Sequence, residues 1–334
     1  MSSALPKICL LLGPGTLHSQ GSDRLDTYRY APWRSGRPRL TGHELVAALP
    51  ELLQFAQIEV DGESPHEVAT VEDLRRLALR IEGLVERPDV SGVVFVQGTN
   101  TLEETAFFLH LTVHTTKPVV LTGAQRPFTA LSADGPANLV DAVRVAATPE
   151  AAGKGVLAVT NNEINSARDV TKSHTYRLQT FRSRDIGVLG YADADRVVFY
   201  RAPVRRHTAQ SEFRLGPTGE LPRVYILYVH AGACAGLADA AIDLGAKGIV
   251  VAGTGAGATG ALREELAAIA REGRAVIVRS SRVGEGRVIV DDNWQEPGMV
   301  AADNLSPHKA ALLLCLALTK TQDPERIQRF FDEY

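Results

Sequence analysis

The sequence predicts an α/β protein with a larger N-terminal domain, built on an open, mostly parallel sheet, and a smaller C-terminal α/β domain. Three observations predict it. Apolar runs of strand length alternate with segments of helical period along the chain. Two such runs lead straight into threonine-bearing turns: Ile8-Cys9-Leu10-Leu11-Leu12 into Gly13-Pro14-Gly15-Thr16, and Val93-Val94-Phe95-Val96 into Gln97-Gly98-Thr99-Asn100-Thr101. Between Tyr200 and Pro222 the periodicity fades into a polar stretch punctuated by Pro and Gly, which divides the 334 residues into domains at 1–203 and 223–334 with a linker at 204–222.

After the first two runs, strands are expected at Val119–Thr122, Gly155–Thr160, Val224–Val229, Gly248–Ala252 and Ala275–Val278. Helical spacing of apolar residues marks His43–Ala56, Val71–Val85, Leu102–Val113, Ala137–Ala147, Leu262–Ala270, His308–Leu318 and Pro324–Phe331. Thr101 and Glu104 form a T-x-x-E pattern that predicts a capping box, so a helix begins at the second threonine turn. The Arg-, Gly- and Pro-rich segment from Ser19 to Thr41 is long for a connection and reads as a lid. Both threonine turns fall where an open α/β sheet gathers its ligands, beyond the carboxyl ends of strands, and a hydroxyl there projects into the crevice.

A formal charge of -3 and the lack of a dense Lys/Arg stripe argue against a nucleic-acid partner or an anionic membrane surface. Apolar runs such as Ala310–Leu318 are far shorter than the roughly 20 residues of a bilayer span. Cys9, Cys234 and Cys315 show no CxxC or paired spacing, which points to core packing in place of a disulfide or zinc site. The five-residue apolar run after Lys7 is too short for a secretory signal, so cytoplasm is the expected location, with the periplasm the alternative for a chain whose leader has been removed.

The second turn continues as Gly98-Thr99-Asn100-Thr101-Leu-Glu-Glu-Thr. Arg126-Pro127, Ser132-Ala-Asp-Gly-Pro136 with Asn138, Arg168-Asp-Val-Thr-Lys172 and Arg279-Ser-Ser-Arg282 follow in order. In order and spacing this series resembles the bacterial-type L-asparaginase and glutaminase-asparaginase family, over nearly the whole chain. The resemblance implies an amidohydrolase that frees ammonia from the side-chain amide of L-asparagine, or of L-glutamine, through an acyl-threonine, without metal or cofactor. It implies Thr16 as nucleophile, assisted by Tyr30 with Tyr28 as fallback, and a relay of Thr99 with a buried Lys172. It also implies a homotetramer with sites between subunits.

The chemistry is self-consistent. A threonine hydroxyl needs a neighbouring base, and a developing oxyanion needs aimed donors. Lysine serves as a base only when neutral, which burial favours and a carboxylate neighbour opposes. The N-terminus of the helix after Thr101 would attract a substrate carboxylate.

This chain departs from the family pattern within the same pocket. Asn100 stands in place of an aspartate that grips the substrate ammonium, a loss worth about 1–3 kcal/mol and therefore weakened activity on a free amino acid. Gln97 replaces a histidine, Pro14 a glycine and Gly13 a threonine. The substrate-side pair aligns to His66-Glu67, with Ser64 nearby, and Asp291, Asp292 and Glu285 compete as the acidic residue supplied by a neighbouring subunit. Two alternatives follow: an amidohydrolase for a related amide whose α-amino group is blocked or absent, and a non-catalytic amino-acid-binding pseudoenzyme.

One motif points elsewhere. Gly255-Ala-Gly257-Ala-Thr-Gly260, between a strand and a helix, has the spacing of a dinucleotide fingerprint, and Arg279 and Arg282 would meet a 2′-phosphate. A lone fingerprint at the end of a chain lacks the second half that a dinucleotide needs, and a tight glycine turn is the plainer reading. His207 reads as a hydrogen-bonded surface residue and Asp134 as a turn or helix-start residue.

Overall fold

The computed structural model describes residues 4–62, 65–290 and 298–334. The chain divides into two compact units, Met1–Pro217 and Thr218–Tyr334.

In the first unit β1 (Lys7–Leu12), β2 (Gln57–Val60), β3 (Gly92–Val96), β4 (Val119–Thr122) and β5 (Val156–Thr160) run parallel. The antiparallel strands β6 (Glu163–Ser166), β9 (Gly190–Ala192) and β10 (Val197–Phe199) extend one edge, giving the order β10-β9-β6-β5-β4-β3-β1-β2. A hairpin of β7 (Thr171–Lys172) and β8 (Phe181–Arg182) stands apart from this sheet. The central strands are apolar without alternation because both faces are covered, and every residue of β3, β4 and β5 is buried.

Helices α1 (Pro32–Ser35), α2 (Gly42–Ala48), α3 (Val71–Val85), α4 (Leu102–Thr112) and α5 (Gly135–Ala147) complete the unit. Leu45 of α2 and Leu139, Ala142 and Val143 of α5 share a core with Ile8, Leu10, Leu12, Val94 and Val96. From β1 the chain crosses through α2 to β2 on one side, then reverses through α3 to β3 on the other. Right-handed crossovers in opposite directions place their helices on opposite faces, and α3 packs on β3 and α4. The carboxyl ends of β1 and β3 therefore flank the topological switch point, where a crevice opens.

Register fixes what lies at that crevice. Leu12 pairs with Val96 and Val96 with Thr122, so β1, β3 and β4 end level with one another. The pairing then runs on into the turns. Gly13 N–H donates to Val96 O at 2.7 Å, Gln97 N–H to Thr122 O at 2.9 Å, and Gly98 N–H to Pro14 O at 2.8 Å.

The second unit holds a parallel sheet β11-β12-β13-β14, formed by Val224–Tyr228, Gly248–Gly253, Val276–Ser281 and Met299–Ala301. Its helices are α6 (Leu237–Asp243), α7 (Arg263–Arg271), α8 (Pro307–Ala317) and α9 (Pro324–Glu333). Ala238 of α6 and Leu266 of α7 share a core with Ile249, Val251 and Ile277, while α8 packs on β11 and β12.

Several expectations change. The helix over His43–Ala56 is α2 followed by a 3-10 turn at Pro50–Gln54, because Pro50 has no N–H to continue the α pattern. Thr101 precedes α4 as expected but caps nothing with its side chain, since its hydroxyl accepts from Gln97 Nε2 at 3.0 Å. Full capping boxes form instead at Thr41 with Glu44 and at Thr70 with Asp73. Within the stretch read as a linker, His207, Thr208, Ser211 and Phe213 are buried, and Ser211 Oγ donates to Leu111 O. His207 is thus an interior residue whose ring lies tilted at 5.0 Å from that of His110, its imidazole held below the usual range by burial.

Cys234 is exposed, whereas burial pushes the Cys9 thiol to about 11 and the Cys315 thiol to about 12. No described helix is long and apolar enough to cross a membrane.

Asn138 ties three elements behind the crevice. Its Nδ2 donates to Gly123 O at 2.9 Å and its Oδ1 accepts from Asn161 N–H at 2.8 Å, with the side chain buried. Asn138→Ala would leave both backbone groups without these partners, a loss of about 1–3 kcal/mol, read as a lower urea midpoint at unchanged slope. An unchanged midpoint would refute this bracing role.

Candidate active site

A cavity of about 1250 Å³ opens at the ends of β1 and β3. Thr16, Tyr30, Glu67, Thr99, Asn100 and Lys172 all line it.

The first turn is held against the second by contact as well as hydrogen bonds. A Cβ on Gly15 would lie 2.5 Å from Gly98 N and 2.8 Å from Gln97 C, so only glycine allows this approach. Thr16, nine-tenths buried, follows directly, and its hydroxyl donates to Tyr30 Oη at 3.2 Å. Tyr30 arrives on the Ser19–Thr41 segment, which is tied down where it leaves the turn and where it rejoins the fold. Ser19 Oγ donates to Gly15 O at 2.7 Å and Leu40 N–H to His18 O at 2.8 Å. Asp26 gathers the N–H groups of Ser22, Tyr28 and Arg29, which hold its carboxyl down at about 2.

On the second turn Thr99 is buried, and Lys172 Nζ donates to its hydroxyl oxygen at 2.7 Å. The Thr99 proton goes to Gln125 Oε1 at 3.1 Å. Gln125 is oriented by Nε2 donating to Arg177 O at 3.2 Å and by Asp134, which accepts the backbone N–H groups of Gln125 and Arg126 at 2.9 Å each. Asp134 is therefore the structural turn residue the sequence suggested.

Lys172 sits on β7. Its backbone N–H donates at 2.9 Å to the buried Glu103 carboxylate of α4. Burial holds its ammonium below the ordinary lysine range, and the Glu103 charge partly opposes that. Asn100 Oδ1 lies 3.5 Å from Lys172 Nζ.

His66 departs from expectation. It is not among the cavity's lining residues. Its ring lies edge-on to Phe95, and its Nε2 is 3.2 Å from Asp61 Oδ2, because its own backbone N–H is bonded to Leu12 O and continues the β1 edge. Ser64, Asp291 and Asp292 lie outside the described residues; Glu285 is exposed in the second unit. Tyr28, 66% exposed, also lines the cavity, while Tyr30 alone of the two meets Thr16.

Gln125, Glu103 and His174 were not singled out from sequence. Gln125 stands at the same offset past the end of β4 as Thr99 past the end of β3, so strand-end register was the available signal.

The glycine-rich segment in the second unit is a tight turn. Thr254 N–H and Ala258 N–H exchange bonds with each other's carbonyl at 3.0 and 2.8 Å, and Gly255, Gly257 and Gly260 all take positive φ. Helix α7 starts only at Arg263, after a 3-10 turn, so the turn does not open a helix N-terminus as a dinucleotide fingerprint does. Arg279 is buried with its guanidinium on Ile289 O, and Arg282 stacks on Tyr228. Among the described residues no group of three or more His, Cys, Asp or Glu side chains could hold a metal ion.

This fold laces two threonine turns at its switch point and sets their hydroxyls on one cavity. The comparisons name the family. The domain described as "Asparaginase, N-terminal" matches residues 7–205, and the "Glutaminase/Asparaginase C-terminal domain" matches residues 223–331. The chain belongs to the asparaginase family.

It is 42% identical to L-asparaginase 2 of Bacillus subtilis (strain 168), over 99% of this chain and 87% of that one. To L-asparaginase 2 of Escherichia coli (strain K12) it is 40% identical, over 99% and 94%, and to the glutaminase-asparaginase of Pseudomonas fluorescens biotype A 37% identical, over 99% and 91%. A crystal structure of a probable cytoplasmic L-asparaginase from Campylobacter jejuni superposes with a TM-score of 0.88 at 38% identity, covering 98% of this chain and 100% of that one.

Gly15→Ala tests the lacing of the turns. The added methyl meets backbone that cannot yield, so the variant should lose about 1–3 kcal/mol of stability and, by displacing Thr16, fall about a hundredfold in ammonia release. Thermal melting and a coupled ammonia assay check it; full turnover would show that the close approach is dispensable.

Proposed function

We propose that this chain hydrolyses the side-chain amide of L-asparagine, with L-glutamine as a further substrate, to the acid and ammonia through an acyl-threonine on Thr16. The observation that carries the reading is the convergence of two hydroxyl dyads, Thr16 with Tyr30 and Thr99 with Lys172, on one cavity.

The Thr16 oxygen attacks the carboxamide carbon while its proton passes to the Tyr30 oxygen, which already accepts it, and the phenol hands its own proton on to the amide nitrogen. The carbon–nitrogen bond breaks and ammonia leaves with that proton. Water then adds to the ester carbon, its proton returns through the same groups, and the acid departs with the Thr16 hydroxyl restored. Thr99 and Lys172 serve the proton balance. In the resting arrangement a charged Lys172 donates to Thr99 and the Thr99 proton rests on Gln125. A neutral Lys172 offers a lone pair, so Thr99 can turn its proton to the amine and take one from the reacting centre.

Glu67 and Asn100 are the substrate-side groups of this reading, and Thr16→Ala should abolish ammonia release. Residual turnover within tenfold of the parent chain would sink Thr16 as nucleophile. We further propose residues 1–203 as the catalytic domain, a homotetramer as the assembled form, in keeping with the family pattern, and the cytoplasm as its location.

The rate should depend on a deprotonated Lys172. Activity then rises as pH passes the lysine's pKa, and burial places that limb below the ordinary value of about 10.4. Glu103 raises this pKa, so Glu103→Gln should move the rising limb of kcat to lower pH. A limb that stays in place or moves upward would exclude Lys172 as the titrating base.

A further inference from the structure

The cavity lining carries more cationic than anionic side chains. Arg39 and Lys172 bring cationic groups, and Glu67 is the single carboxylate among the described lining residues. The Asn100 Oδ1 faces the Lys172 Nζ at 3.5 Å, and an ammonium offers only donors, so the carbonyl end is turned to the lysine and the Nδ2 amide is what remains for the cavity.

His174, two residues past Lys172, repeats the pattern. Its Nδ1 accepts the backbone N–H groups of Tyr176 and Arg177 at 3.0 and 3.1 Å. That nitrogen must be bare, which puts the ring proton on Nε2 at the opposite edge of the imidazole. The hairpin between β7 and β8 that carries His174 also lines the cavity. Among the lining residues Asn100 and His174 thus each carry an N–H donor not spent on the contacts above.

The rest of the lining suits a larger, uncharged substituent. Trp33 and Tyr176, exposed by 81% and 74%, and Tyr28, whose ring carries the Arg34 guanidinium, also line the same space. Such rings bind an acyl group by apolar contact.

We propose that the preferred substrate is an asparagine-type amide that keeps its carboxylate but carries an acylated α-nitrogen, with Asn100 as the specificity-determining residue. Acylation removes the positive charge and adds a carbonyl acceptor for the donors at Asn100 and His174. The proposal rests on the amidohydrolase reading above and narrows its substrate class.

The test compares kcat/KM for ammonia release from L-asparagine and N-acetyl-L-asparagine in the parent chain and in Asn100→Asp. The parent should favour the acetylated amide by about tenfold or more, and Asn100→Asp should reverse that order, because a carboxylate repels the acyl oxygen and attracts an ammonium. His174→Phe should raise KM for the acetylated amide about fivefold or more beyond any change in KM for L-asparagine. L-Asparagine equal or superior in the parent overturns the inference and leaves the amidohydrolase intact. An unreversed order in Asn100→Asp removes Asn100 as determinant, and ammonia from neither amide overturns both readings together.

Discussion

Everything at the site depends on three strands ending level. Leu12, Val96 and Thr122 are register partners, and the hydrogen-bond ladder continues past them through Gly13, Gln97 and Gly98. Two turns from distant parts of the sequence are thereby stitched side by side, and Gly15 lets their backbones touch. Hydroxyls on such turns inherit the rigidity of the sheet, so their positioning entropy is lost on folding and not on substrate binding. The reversal of chain direction between β2 and β3 keeps helices from covering this edge and leaves room for a ligand.

The electrostatics follow from that placement. Lys172 projects from a hairpin outside the main sheet onto a buried threonine, and loses part of its hydration in doing so. Glu103 holds the lysine backbone from α4 and tempers the loss of charge. Asn100 touches the same amine without adding a charge. The chain thus has a lysine whose ionisation burial disfavours and a buried carboxylate partly restores, with a neutral amide side chain beside it in the cavity wall.

Much of this was legible in the sequence. Unbroken apolar runs such as Val119–Thr122 and the α3 stripe fixed their elements within a residue or two, because strand burial and helical period leave strong patterns. The two threonine turns and Lys172 were likewise readable. The edge strands β9 and β10 were not, since three-residue antiparallel strands carry too little period to detect. Thr101 looked like a capping residue, yet Gln97 claims its hydroxyl across the turn, a competition visible only in three dimensions. Gln125 and His174 escaped for a related reason: their roles come from which backbone groups fold back onto their side chains. His66 shows the reverse error. Adjacent residues on an extended segment point to opposite sides, so Glu67 lines the cavity while His66 turns to Asp61.

The central claim is that the Thr16 oxygen becomes covalently acylated. Rapid acid quenching during turnover of the amide substrate, followed by proteolysis and mass spectrometry, reads this directly. The account predicts that the peptide containing Thr16, and no other, gains the mass of one acyl group. Steady ammonia release with no adduct, or with the adduct on Thr99 or any other side chain, would contradict it.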